Sequence, residues 1–403
     1  MSDARQATRH SWPVPWRRFL QTLNVSGSQQ RIEVRMNDAR SWMIACATAF
    51  LGACGSSSAG PQGCSLEGAT GSWAFLGLED EWVTALAMTP WGLYAGTHEN
   101  GVFHLSDSTW QPLGLDHAIV SSILFVPGPT DRLLVGVYPF SDEQTDAAVF
   151  ATEDRGATWL PWDGGLAARR GNRGWAYSLG MNADRPDRLF MGYFDQIVRS
   201  EDAGRTWAFV QGDESQIGGG KIFAIEVAAS TQGRVWAGGL TSIFTAVIWR
   251  SADGGTSWEF VDPTPRFENA VRAVMADPTN SNRVWAGLAG VTGGVMRSDD
   301  AGKTWTYRLR PRLHRDVFAL ARVNAMLYAL ASENVRLPPS GQGAPLSDLG
   351  LYRSCDDGET WDSLPVPPGI GGGHAVTIDG QGRLVIGTRL GSGGAGVWRF
   401  SSP

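Results

Sequence analysis

One eight-residue pattern, S/T-x-D-x-G-x-T/S-W, occurs five times in this chain and restricts its possible folds more than any other feature. The copies run Thr152–Trp159, Ser200–Trp207, Ser251–Trp258, Ser298–Trp305 and Ser354–Trp361. Their aspartates, Asp154, Asp202, Asp253, Asp300 and Asp356, lie 48, 51, 47 and 56 residues apart. A near-constant period of this length marks a repeat architecture and suits one four-stranded propeller blade. The pattern reads as a structural turn. The aspartate is expected to accept backbone N–H groups a residue or two on, the glycine to supply a positive φ, and the tryptophan to return apolar surface to the core.

The blade count follows independently from the strands. A short apolar run, usually ending in Gly, recurs at Leu93–Gly96, Leu133–Gly136, Leu189–Gly192, Val235–Gly238, Val284–Gly287, Leu327–Leu330 and Leu384–Gly387. A further strand motif follows each run, as at Gly101–Phe103, Val247–Trp249 and Gly396–Trp398. The expected fold is therefore all-β, a seven-bladed propeller. The last blade runs out at Pro403 before a fourth strand, and Ser72–Leu78 reads like the Trp-led strand that follows each box. The N-terminal strand is thus expected to complete the C-terminal blade and remove the open edge at the seam.

These boxes resemble those of the Asp-box (bacterial neuraminidase repeat) propellers. That superfamily includes sialidases, sortilin-type receptors, xyloglucan-cleaving enzymes and photosystem II assembly propellers. The resemblance implies that the boxes sit between strands 3 and 4, away from the ligand face, and say little about function.

The propeller is expected over 70–403. Residues 42–51 form an apolar run too short to span a bilayer, preceded by Arg40 and followed by Leu51-Gly52-Ala53-Cys54 and a Gly/Ser-rich stretch. This resembles a bacterial lipoprotein signal over 36–54, with Cys54 as the lipidated residue and 55–69 as a flexible linker. Met36 stands at the proper distance for a start, which leaves 1–35 an artefact of the start assignment with no structure of its own. The expected location is extracytoplasmic, lipid-anchored in the cell envelope. Of the remaining cysteines, Cys64 and Cys355 fall near one rim and are a candidate disulfide in an oxidising compartment, or two unrelated thiols.

A formal charge of −6 argues against a nucleic-acid partner. Ala301-Gly302-Lys303-Thr304 mimics a phosphate loop but lacks the upstream glycine, that position being Arg297. Ser298-Asp299-Asp300 and Cys355-Asp356-Asp357 do not continue into calcium loops. No metal or cofactor is expected.

Function should lie on the face opposite the boxes, built by the loops joining strands 2 and 3 and those joining blades. Candidate ligand-binding residues there are Tyr138, Phe140, Asp142, Asp195, Arg310, Arg312 and Glu333, with Trp82, His98, Trp175, Lys221, Asp316 and His374 also on that face. Insertions around 140–146 and 333–348 are the longest. A sialidase would need an arginine triad, a Tyr–Glu nucleophile pair and commonly an Arg-Ile-Pro segment, which is absent. Xyloglucan-cleaving relatives use paired aspartates between two propellers. The preferred expectation is a monomeric, non-catalytic module binding an envelope or membrane-associated protein, as the photosystem assembly and sortilin-like propellers imply. The alternatives are a glycosidase, and a glycan-binding lectin stacking sugars on Trp82, Trp175, Tyr138 and Phe140.

Overall fold

The apolar runs ending in glycine become the second strands of seven four-stranded antiparallel sheets. The computed structural model describes residues 23–25, 28–30, 71–116, 118–139, 147–166, 175–193, 196–210, 221–228, 233–241, 245–261, 269–311, 315–323, 325–333, 349–366, 370, 372–389 and 394–401. Blades 1 to 6 begin with the inner strands Val83–Thr89, Ala118–Val126, Ala176–Asn182, Lys221–Val227, Asn269–Ala276 and Arg315–Val323, and each then runs outward in chain order. Blade 7 takes Gly372–Ile378, Leu384–Arg389 and Gly396–Ser401 from the C-terminus and Ser72–Gly77 from the N-terminus. Inner strands of neighbouring blades pack side by side all the way round, blade 7 against blade 1, so the fold is a closed seven-bladed β-propeller.

The chain divides into two compact units, Met1–Trp42 and Met43–Pro403. In the first, Leu23–Val25 pairs antiparallel with Ser28–Gln30, where no structure was expected. A two-stranded pair of this length is marginal by itself. The expected boundaries near 35, 54 and 69, and the signal with Cys54, lie outside the described residues.

The boxes are turns, as expected, but their hydrogen bonds divide differently. In the fourth box the Ser298 hydroxyl accepts the buried N–H of Gly302 at 2.8 Å and donates to Asp300 Oδ1. Asp300 reaches four residues on, accepting the N–H and the hydroxyl of Thr304 at 2.8 and 2.7 Å. The other boxes repeat this, Asp154 with Thr158, Asp202 with Thr206, Asp253 with Ser257 and Asp356 with Thr360. Hydroxyl donation by Thr304, with its backbone N–H, holds the Asp300 carboxyl down at about 2. Stability from this bond is therefore present above the ordinary value of 3.8 and is lost as pH falls through about 2.

Two successive residues in each box take left-handed φ, +60° at Ala301 and +84° at Gly302. A Cβ on Gly302 would lie 3.0 Å from the Trp236 ring, in the second strand of blade 4, so the box of one blade packs onto its predecessor. The box tryptophans add to this: Trp159 Nε1 donates to Leu113 O and Trp207 Nε1 to Trp162 O, both in the preceding blade. Because the N–H satisfied by Ser298 is buried and that satisfied by Asp300 is exposed, the two variants should differ. Ser298→Ala is expected to cost about 1–3 kcal/mol and Asp300→Ala about 0.5–1.5 kcal/mol, read from urea unfolding midpoints. The reverse order would contradict this division of labour.

The carboxylates beside the box aspartates have partners of their own. Asp299 pairs with Arg283 at 2.7 Å and Arg297 at 2.8 Å, and Asp357 with Arg283 at 2.8 Å and Arg322 at 3.2 Å. Of these bridges Arg283–Asp357 joins blades 5 and 6, while the others lie within one blade. Among the described residues no group of three or more His, Cys, Asp or Glu is arranged to hold a metal. Cys355 is disulfide-bonded; Cys64, like Cys46 and Cys54, lies outside the described residues.

Candidate functional site

Each inner strand carries a β-bulge near its start, between Val83/Ala85, Val120/Ser122, Ala176/Ser178, Ile222/Ala224, Val271/Ala273, Val317/Ala319 and Gly373/Ala375. A bulge breaks the two-residue alternation and re-aims one side chain. The seven residues so placed are Thr84, Ser121, Tyr177, Phe223, Arg272, Phe318 and His374, all buried. They lie toward the starts of the inner strands, the side of the loops between blades and opposite the boxes. The two small ones tie blades together, Thr84 donating to Val120 O at 2.6 Å and Ser121 to Ala176 O at 2.7 Å.

The five large ones meet around the propeller axis. The Arg272 guanidinium lies 3.9 Å from the centroid of Phe223 and 5.8 Å from that of Phe318. Phe318 continues to His374 at 4.5 Å, and His374 to Trp82 at 5.4 Å, which is stacked on His98 at 4.2 Å. On the other side Phe223 meets Tyr177 at 5.8 Å and Tyr177 meets Tyr138 at 5.6 Å. Arg272 of blade 5 also acts electrostatically on Tyr138 of blade 2. Blades that are not neighbours in the ring can interact this way only across its centre. The chain of aromatic rings therefore forms a floor across the centre of the ring on the loop side.

Two cations share this floor. The Lys221 ammonium stands 5.5 Å from the Tyr177 ring centroid and 6.0 Å from that of Trp175. Burial, and then repulsion from Arg272, lowers its pKa to about 8. The Tyr138 hydroxyl is raised well above its ordinary range by burial and by Tyr177, against the pull of Arg272. Burial lowers His98, which Glu99 opposes. Among the described residues neither the Tyr138 hydroxyl nor the Trp82 indole N–H has a hydrogen-bond partner. A tyrosine nucleophile needs a base within hydrogen-bond reach, and among the described residues none is hydrogen-bonded to the Tyr138 hydroxyl. Among the carboxylates of this face, Glu81 accepts the Asn100 amide, Glu99 pairs with His98, and Asp316 accepts the N–H of Gly290 at 2.7 Å.

Of the residues expected from sequence, Tyr138 joins the floor with Trp82, His98, Trp175, Lys221 and His374. It is buried, not an exposed loop residue, because it lies inside the second strand of blade 2, Arg132–Pro139. Arg310 is exposed beyond the last strand of blade 5, 4.0 Å from the Tyr307 ring centroid. Glu333 ends the second strand of blade 6. Phe140, Asp142, Asp195 and Arg312, and most of both long insertions, lie outside the described residues. Sequence reasoning missed Phe223, Arg272 and Phe318, which sit within strands and not in loops. The visible signal was a charge in the otherwise apolar strand Asn-Ala-Val-Arg-Ala-Val-Met-Ala.

No protein-family profile matches the chain. Over 160 residues it is 30% identical to a probable oligoxyloglucan-reducing end-specific xyloglucanase of Neosartorya fischeri, covering 38% of this chain and 18% of that protein. The chain thus spans about a fifth of the length of the curated relatives it matches. Among solved structures it is similar to YCF48 from Cyanidioschyzon merolae, with 14% identity, TM-score 0.55 and coverage of 81% of this chain and 98% of the other. A YCF48 bound to D1 peptide gives 18% identity, TM-score 0.55 and coverage of 84% and 97%. The GH74 enzyme of Niastella koreensis gives 14%, 0.52, 71% and 45%. At these identities the structural likenesses are likenesses of fold.

Proposed function

We propose that this propeller is a non-catalytic binding module that takes a protein partner on the loop side of the ring. The observation that carries the reading is the axial floor, where described side chains from all seven blades gather and two of them are cations. A peptide-bound propeller of the same fold, matched over 84% of this chain and 97% of its own, supports it. In the same reading the module works at the cell envelope, tethered through lipid on Cys54.

Affinity capture from native envelopes tests the reading, with Trp175→Ala and Arg310→Glu as variants on the loop side and mass spectrometry reporting lipid on Cys54. Wild type should retain a defined protein partner, and the variants should lose it while keeping their melting temperatures within a few degrees. Capture that is equal in all three proteins would sink the reading. The xyloglucanase relatives favour a second reading, glycan binding. A glycan-array signal from the wild type that Trp175→Ala abolishes, without protein capture, would put that reading first.

A further inference from the structure

The floor has a specific electrostatic asymmetry. Arg272, only 2% exposed, and Lys221 both carry positive charge into an aromatic enclosure, and their mutual repulsion disfavours the charge on Lys221. Buried polar groups are ordinarily satisfied, yet the Tyr138 hydroxyl, on a side chain 6% exposed, has no partner among the described residues. Among the same residues the Trp82 indole N–H has none either. Lys221, Trp175 and Trp82 are the half-buried members, so the enclosure reaches the loop side through them.

Resting on the binding-module reading, we infer that this enclosure is a carboxylate-binding site, in which Lys221, Arg272 and the Tyr138 hydroxyl receive one acidic group presented by the partner along the propeller axis. A carboxylate accepts from several donors at once and pairs with both cations, which relieves the repulsion between them. The apolar walls exclude water and strengthen those bonds. A phenol donates one hydrogen bond and a lysine carries a compact charge. A single anionic group is therefore matched better than an extended acidic surface. The carboxylate can belong to a side chain or to a chain terminus.

The test uses the full-length protein and four hexapeptide probes: hexaglutamate with free or amidated C-terminus, and hexaglutamine with free or amidated C-terminus. Calorimetry should show binding of the acidic probes at least tenfold tighter than of amidated hexaglutamine. Free hexaglutamine binding as tightly as hexaglutamate assigns the site to a chain terminus, and weak binding of it assigns the site to side chains. Lys221→Met should weaken the preferred probe at least tenfold and Tyr138→Phe about threefold. The phenylalanine variant loses only the hydroxyl oxygen and its proton, so it guards against misfolding. Binding should also move the Lys221 titration upward by at least one pH unit, followed by NMR of lysine labelled at the side chain. Equal binding of amidated hexaglutamine and the acidic probes, or acidic binding untouched by both variants, overturns the site. Partner capture that survives Lys221→Met and Tyr138→Phe removes the carboxylate site and leaves the binding module standing. Failure of wild type to capture any partner removes the module reading beneath it.

Discussion

Deleting Ser72–Gly77 is expected to lower the melting temperature by more than about 10 °C relative to a chain beginning at Gly71, or to abolish folding. The strand pairs with Val397–Ser401, from Ser72↔Ser401 to Gly77↔Val397. Trp73 packs 5.0 Å from Phe400, and its indole N–H donates to Pro365 O at 2.8 Å. Pro365 is the residue just after the last strand of blade 6. Trp73 therefore does for blades 6 and 7 what Trp159 and Trp207 do for earlier pairs, though no box precedes it. Phe75 packs 4.8 Å from Trp398, and Leu76 O accepts the indole N–H of Trp110 in blade 1 at 2.8 Å. Deletion removes two aromatic side chains, orphans a third and leaves a bare sheet edge open to pairing with another copy. Equal thermal scans of the two truncations would show that the ring closes without this strand.

A second large effect is expected at Glu226. It lies in the inner strand of blade 4, 2% exposed, opposite Trp236. The N–H of Ala276, the last residue of the blade 5 inner strand, donates to its carboxyl group, and Oε1 has no partner among the described residues. Burial pushes its pKa up to about 8 from the ordinary 4.5. The folded state therefore holds a proton that the unfolded chain releases above 4.5. Stability is complete below that value, falls by about 1.4 kcal/mol for each pH unit in between, and levels off once pH passes the folded pKa. Glu226→Gln keeps the shape without the ionisation. Its melting temperature should match the wild type near pH 4.5 and exceed it increasingly up to pH 8. Superimposable profiles over that range would show that Glu226 ionises in the folded protein without penalty.

The repeats made most of the fold legible. Box spacing set the blade period, the apolar runs located the second strands, and Trp73 identified the closing strand before any pairing was seen. Each is a local signal, since a turn, a two-residue alternation and a tryptophan after a box need only neighbouring residues to be recognised. The candidate site was legible only at its rim. Lys221, Trp82, Trp175 and His374 stand next to loops and could be assigned to the correct face by counting strands. Phe223, Arg272 and Phe318 could not, because each looks like an ordinary member of an inner strand until the bulge beside it is known.

The amino-acid sequence alone therefore determined seven blades, their order and the joining of the two ends, because these depend on contacts within a repeat or between successive repeats. Only the tertiary structure decided what stands at the centre. Tyr138, Tyr177, Phe223, Arg272 and Phe318 come from five different blades and are separated by up to 180 residues. Four of them stand at bulges near the starts of the inner strands, Tyr138 joins them from the second strand of blade 2, and closing the ring brings their common axis into being.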